Sequence, residues 1–199
     1  AWSVWAESNR PGFQLDLFTR IWVPAERVID LQKQLQVPLQ DWIDRGYVTA
    51  TEGDVIDYSA VKSAVIGDCN HFDMQRVSYD RMFAGQLVQE LDEELKGIEI
   101  TPVAQTFYGL SPAAKEMERL WRSKTMGWDG NPAMKWMASV VEVKTDDLDN
   151  IRPVKPNRKK SSTRIDGFQA AVTGMDGIVR SSLTERTSVV HTGSSTKWR

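Results

Sequence analysis

A basic run that closes on a single aspartate is the part of this chain whose residue types best suit chemistry. From Arg152 through Lys155, Arg158, Lys159, Lys160 and Arg164 no acid intervenes, until Asp166 ends the run. Ile165, Phe168, Val172, Met175 and Val179 then recur at three- and four-residue spacing, which predicts a helix with one buried face. Ser161 or Ser162 can cap that helix by accepting an orphan backbone N–H, and Asp166 falls in its first turn, where the helix dipole favours a carboxylate. Two readings fit this stretch. One is a capped helix behind a solvated basic loop; the other is a metal-binding carboxylate beside a phosphate-binding surface.

A second acid has a comparable position. Met74 to Tyr79 predicts a short strand with Asp80 at its C-terminal end, and an amphipathic helix follows with Met82, Phe83, Leu87, Leu91 and Leu95 inward. Gly97 stops that helix, and Ile98 to Ala104 predicts another strand. Strand, helix and strand of this length form a parallel crossover unit, in which ligands gather at the C-terminal strand ends. A lone acid there is otherwise a helix cap. If Asp80 and Asp166 act together, the chemistry is that of hard oxygen ligands for Mg²⁺ or Mn²⁺. Two such ions, about 3.5–4 Å apart, support in-line hydrolysis of a phosphodiester. The basic loop would add sequence-independent phosphate contacts.

Composition narrows the alternatives. The 199 residues are enough for one sizeable domain, with 41% hydrophobic and 26% charged residues. A net charge of -2 means that any nucleic-acid binding comes from a local patch, and the run from Arg152 to Arg164 is the strong candidate. One cysteine, Cys69, excludes an internal disulfide framework; with His71 two residues on, it reads as a buried thiol beside a surface imidazole. No apolar run spans a bilayer, no signal peptide is present, and neither a P-loop nor a G-x-G-x-x-G motif occurs. The expected context is cytoplasmic.

The positioning elements read as follows. Trp2 to Ala6 and Phe13 to Val23 predict two antiparallel strands around the Arg10-Pro11-Gly12 turn, with Asp16 on an exposed edge. Val28, Leu31 and Leu35 give a helix, Leu39 to Gly46 a shorter one, and Tyr47 to Thr51 an extended piece. Asp57 caps a helix whose face holds Tyr58, Val61, Val65 and Ile66. Ser111-Pro112 opens another, with Met117, Leu120 and Trp121 inward. Gly127 to Pro132 is a loop, Ala133 to Ser139 a short helix, and Val140 to Lys144 the last strand. Asp146, Asp147 and Asp149 read as turn formers before they read as ligands. Ser181 to Arg199 lacks any period and reads as a flexible tail after a 1–180 domain.

Several segments, taken in order, resemble the large subunit of tailed-phage terminases. They are Trp42-Ile43-Asp44-Arg45-Gly46-Tyr47, Gly53-Asp54-Val55-Ile56-Asp57-Tyr58, Tyr79-Asp80-Arg81, Ser111-Pro112, Gly130-Asn131-Pro132 with Trp136, Asp149 to Lys155, and Arg164-Ile165-Asp166-Gly167. The resemblance implies the C-terminal nuclease domain of that family: an α/β fold, a ribonuclease-H-like mixed sheet flanked by helices. It implies a divalent-metal-dependent endonuclease, using two Mg²⁺ or Mn²⁺ ions, that cuts concatemeric viral DNA during packaging in the host cytoplasm. Asp80 matches the family's second acid, Asp166 its last acid, and Lys155 and Arg164 basic positions around that motif; Lys159 and Lys160 join them as expected DNA contacts. Double-stranded DNA, the portal and the small terminase subunit are the implied partners, and no membrane. The family's first metal aspartate stands just before residues that look like Ala1 to Trp5, and no acid precedes Ala1 here. The expectation is therefore a nuclease domain without its ATPase domain and without the start of its first strand. The competing expectation is a catalytically incomplete prophage remnant, or a DNA- or portal-docking module without nuclease activity.

Overall fold

The structure, a computed structural model, describes residues 1–82, 85–156 and 163–188. It is a mixed α/β arrangement, as the sequence predicts. Strand β1 (Trp2–Glu7) pairs antiparallel with β2 (Leu15–Arg20), closing the expected hairpin with Trp2 opposite Arg20. β2 is not an edge. Its other side pairs in parallel with β7 (Met126–Trp128), a strand hidden in sequence by its brevity inside a glycine-containing loop. Asp16 accordingly sits opposite Gly127 and forms an ion pair with Arg10, where an exposed edge was expected.

The predicted crossover unit is present. β5 (Arg76–Asp80) leads through α4 (Gly85–Glu94) to β6 (Glu99–Val103), and the two strands are parallel with Asp80 opposite Val103. Gly97 takes φ +92°, a left-handed turn that L side chains resist, just where the helix had to stop. β3 (Trp22–Pro24) and β4 (Thr49–Thr51) form a small parallel pair beside α1 (Val28–Leu35) and α2 (Leu39–Asp44). The single long strand expected from Phe13 to Val23 is thus split at Ile21, which is buried against those helices.

Four further helices complete the layers. α3 (Tyr58–His71) is capped by Asp57, whose Oδ1 accepts from the Ser59 amide. α5 (Phe107–Arg122) starts four residues before Ser111, because Thr106 is the cap: its Oγ1 accepts from the Gly109 amide. Pro112 therefore lies within the helix, and the buried face is Leu110, Ala113, Met117 and Leu120, leaving Trp121 exposed. Tyr58 and Met82 are likewise exposed where a core position was expected. α6 (Pro132–Val140) is capped by Asn131, and the long helix α7 runs from Asp166 to Ser188. The domain boundary expected at residue 180 falls inside α7, and 189–199 lie outside the described residues. The last strand is not Val140–Lys144: β8 (Glu142–Thr145) turns back into β9 (Ile151–Val154), so the front of the basic run is extended.

Alternation along the strands assigns the two sheet faces. Ser3 and Trp5 of β1 and Arg76 and Ser78 of β5 meet α7, at Gly174 and Gly177 respectively. Trp2 and Val77, one residue out of phase, pack instead with Val65 and Cys69 of α3 and with Leu91 of α4. Leu17, Val103, Leu110, Leu120, Val172 and Met175 form the best-buried core, between the sheet and the α5–α7 layer. Among the described residues β1 and β5 each have a ladder on one side only, β1 with β2 and β5 with β6, and α7 lies across both.

Candidate active site

The register of α7 against β5 decides where the two acids stand. The guanidinium of Arg76, at the start of β5, donates to the Gly177 carbonyl at 3.2 Å. From Gly177 back to Asp166 is about 16 Å of helix at 1.5 Å per residue. From Arg76 on to Asp80 is about 13 Å of strand. The helix and the strand run in opposite directions, so both acids come to the same end of the sheet. A second link supports that height. Gln105, two residues past the Asp80 partner Val103, accepts from Gln169 Nε2 at 2.7 Å, and donates to Thr173 Oγ1 and to the Val103 carbonyl. Gln169 is one helical turn beyond Asp166.

Each acid also has a local role. Asp80 Oδ1 accepts from the Met82 amide at 3.0 Å, an Asx turn that bends the chain out of β5 toward α4. Asp166 opens α7 with its side chain 55% exposed, and Lys155 Nζ lies 3.6 Å from its Oδ1. Behind Asp166, the Gly167 amide donates to Met137 Sδ, and the Gly167 carbonyl accepts from Ser3 Oγ, which anchors the helix start to α6 and β1.

The expected basic residues divide. Lys155 faces Asp166. Arg164 is half-buried with no partner among the described residues, and Lys159, Lys160 and the possible caps Ser161 and Ser162 lie outside the described residues. A further cation, Arg152 of β9, was visible in sequence only as the first member of the run. Its guanidinium stacks on the Phe107 ring at 4.6 Å and donates to the Gln105 carbonyl at 3.0 Å. Neither Phe107 nor Gln105 carries a motif that would have marked it.

The donor chemistry at this edge suits a hard divalent cation, since both ligands offered are carboxylates. The softer candidates are elsewhere: Cys69 is buried in the α3 core, where loss of water pushes its thiol up to about 11, and His71 is beside it on the surface. The donor number is smaller than the chemistry asks. No group of three or more His, Cys, Asp or Glu able to hold a metal occurs among the described residues. Asp146 is a turn former, accepting from the Leu148 and Asn150 amides. No helix among the described residues is long and apolar enough to cross a membrane.

Comparison with known proteins agrees with this architecture. The crystal structure of the HK97 bacteriophage large terminase superposes with a TM-score of 0.77 at 22% sequence identity, covering 88% of this chain and 36% of that one. The chain thus spans about a third of the length of that protein, and the likeness extends to the fold, a mixed α/β arrangement of sheet and flanking helices. No curated protein matches the chain by sequence. The family model described as terminase large subunit, endonuclease domain, matches residues 22–181, which take in both acids and the whole basic run. This chain belongs to the endonuclease-domain family of terminase large subunits.

Proposed function

We propose that this chain is a divalent-metal-dependent DNA endonuclease domain that cuts concatemeric viral DNA during genome packaging, with Asp80 and Asp166 as metal ligands. One observation carries the reading: Asp80 ends β5 opposite Val103, two residues before Gln105, and Asp166 opens α7 one turn before Gln169, which bonds Gln105. The ions, two Mg²⁺ or Mn²⁺, would supply an activated water and stabilise the leaving oxygen of an in-line displacement.

The protein's own part is positioning. Asp80 is held by its turn to Met82, and Asp166 by the anchored start of α7. Lys155 beside Asp166 sets its orientation, and Arg164, Lys159 and Lys160 provide contacts to the phosphates of double-stranded DNA. Two acids are fewer than a two-ion site uses. The family resemblance assigns a further aspartate to the first strand. The portal and the small terminase subunit are the proposed protein partners, in the host cytoplasm, with residues 1–180 as the working domain.

A second reading is favoured by the donor count itself: a DNA- or portal-docking module, or prophage remnant, that keeps the fold without the chemistry. Plasmid incubated with Mg²⁺ or Mn²⁺ separates the two. The nuclease reading expects nicking or linearisation without sequence preference, abolished by Asp166→Asn. If this chain cuts poorly, joining the family's preceding strand and its aspartate to Ala1 is expected to raise cleavage. Salt-sensitive DNA binding with no metal-dependent cleavage in either form would establish the docking module.

A further inference from the structure

Most arginines among the described residues face an acid, as Arg20 faces Asp68 and Arg76 faces Glu99. Arg152 does not. One of its N–H groups meets the Gln105 carbonyl, while Nε is buried with no hydrogen-bond partner. An unmade hydrogen bond on a buried donor costs about 1–3 kcal/mol, so a protein that retains one generally has a use for it. The guanidinium is nevertheless well fixed. Its Cζ lies over the Phe107 ring, 4.6 Å from the centroid, and one N–H group donates to the Gln105 carbonyl. What remains is a planar, permanently charged fork with donors to spare, the geometry that matches phosphate oxygens two at a time.

Its place in the fold says which phosphate. Gln105, which Arg152 touches, is bonded to Gln169 one turn beyond Asp166, and lies two residues past the Asp80 partner Val103. The fork therefore stands on the same edge as the two acids. Lys155, three residues on, already has a carboxylate 3.6 Å away. The two cations of this segment thus differ in kind: one balances an acid and the other is held ready without one. We propose that Arg152 is a DNA-phosphate contact of the edge carrying Asp80 and Asp166, pre-set by the Phe107 ring and the Gln105 carbonyl. This rests on the nucleic-acid reading above, and it adds a binding residue to it.

The test is binding of the full chain to short labelled duplexes of two unrelated sequences, followed by fluorescence anisotropy over a range of salt concentrations with EDTA present. Arg152→Gln is expected to lower the slope of log K against log salt by about 0.9, the counterion release of one phosphate, and to weaken both duplexes alike. Arg152→Lys is expected to keep the slope but bind more weakly, because charge is retained and the fork is lost. A role confined to tying β9 to α5 would leave the slope unchanged. An unchanged slope in Arg152→Gln overturns the proposal. If circular dichroism shows Arg152→Gln to be unfolded, Arg152→Lys decides: binding equal to wild type overturns it. Absence of salt-sensitive binding in the wild type overturns both this proposal and the DNA reading beneath it. A lowered slope together with no metal-dependent cleavage upholds Arg152 and removes the nuclease.

Discussion

Lys155 holds its ammonium 3.6 Å from Asp166 Oδ1, with the two side chains 39% and 55% exposed. An ion pair so open to water contributes about 0–1 kcal/mol to folding, so stability is a poor explanation for it. In the proposed site this ammonium would compete with a divalent cation for the Asp166 carboxylate. Lys155→Met is therefore expected to change the melting temperature little, and to tighten Mn²⁺ binding several-fold in calorimetry. Weaker Mn²⁺ binding in the variant would show that the lysine assists the site by another route.

The opposite face of the sheet carries an ion pair with a buried carboxylate. Asp68, buried in α3, accepts two bonds from Arg20, at 2.6 and 2.7 Å, and one from the Trp2 indole at 3.0 Å. Arg20 is half exposed, and its partner raises its pKa further through the hydrogen bond. The two truncations are therefore unequal. Arg20→Met strands a buried carboxylate and is expected to cost about 3–5 kcal/mol. Asp68→Leu leaves an arginine that can turn to water, and an indole N–H without its acceptor, at about 1–3 kcal/mol. Urea unfolding that ranks the two in the reverse order would contradict this assignment of burial.

Gly109 allows α5 to turn back on the end of β6. A Cβ at this position would press into the Ala104 backbone carbonyl, which has no flexible end to move aside. Gly109→Ala is expected to lose about 1–3 kcal/mol by overpacking this corner. An unchanged denaturation midpoint would mean that the corner yields freely.

Burial and the neighbouring Asp68 charge raise the Cys69 thiol from 9.0 to about 11. The folded protein then keeps this proton after the unfolded chain has lost it, so the contribution is complete below pH 9 and falls as pH rises toward 11. Between about pH 8 and about pH 10.5 the loss amounts to about 2 kcal/mol. Cys69→Ala, which removes the titration, should show a correspondingly smaller alkaline loss of stability. Parallel pH profiles for the two proteins would rule this out.

Legibility in the sequence followed the physics of each element. The β5–α4–β6 crossover and the Asp57 cap were readable because local period, cap and turn residues agreed there, and α7 was readable from its apolar period. α5 was misplaced because Ser111-Pro112 imitates a helix start, while Thr106 and the tight Gly109 corner depend on how closely β6 approaches. β7 is a short strand whose ladder with β2 joins segments far apart in sequence that local pattern cannot connect, and β9 returns on β8 through a turn whose acids gave no strand signal. At the site, Asp80 and Asp166 could be named one at a time. Their common edge could not, since it depends on α7 running antiparallel to β5 and on the bond between Gln105 and Gln169. Asn131 illustrates the same limit: it read as a loop residue, yet it caps α6 and donates to the Thr19 and Tyr47 carbonyls.

Whether Asp80 and Asp166 belong to one metal site, as proposed, can be tested by iron-directed self-cleavage, which requires no nuclease activity. Fe²⁺ takes the place of the divalent ion, and ascorbate with peroxide generates radicals that cut only the polypeptide next to the bound iron. Two backbone cuts are expected, one beside Asp80 and one beside Asp166, both suppressed by excess Mg²⁺ and both lost in either Asp80→Asn or Asp166→Asn. A cut at one acid only, or a substitution that removes its own cut and leaves the other, would contradict a shared site.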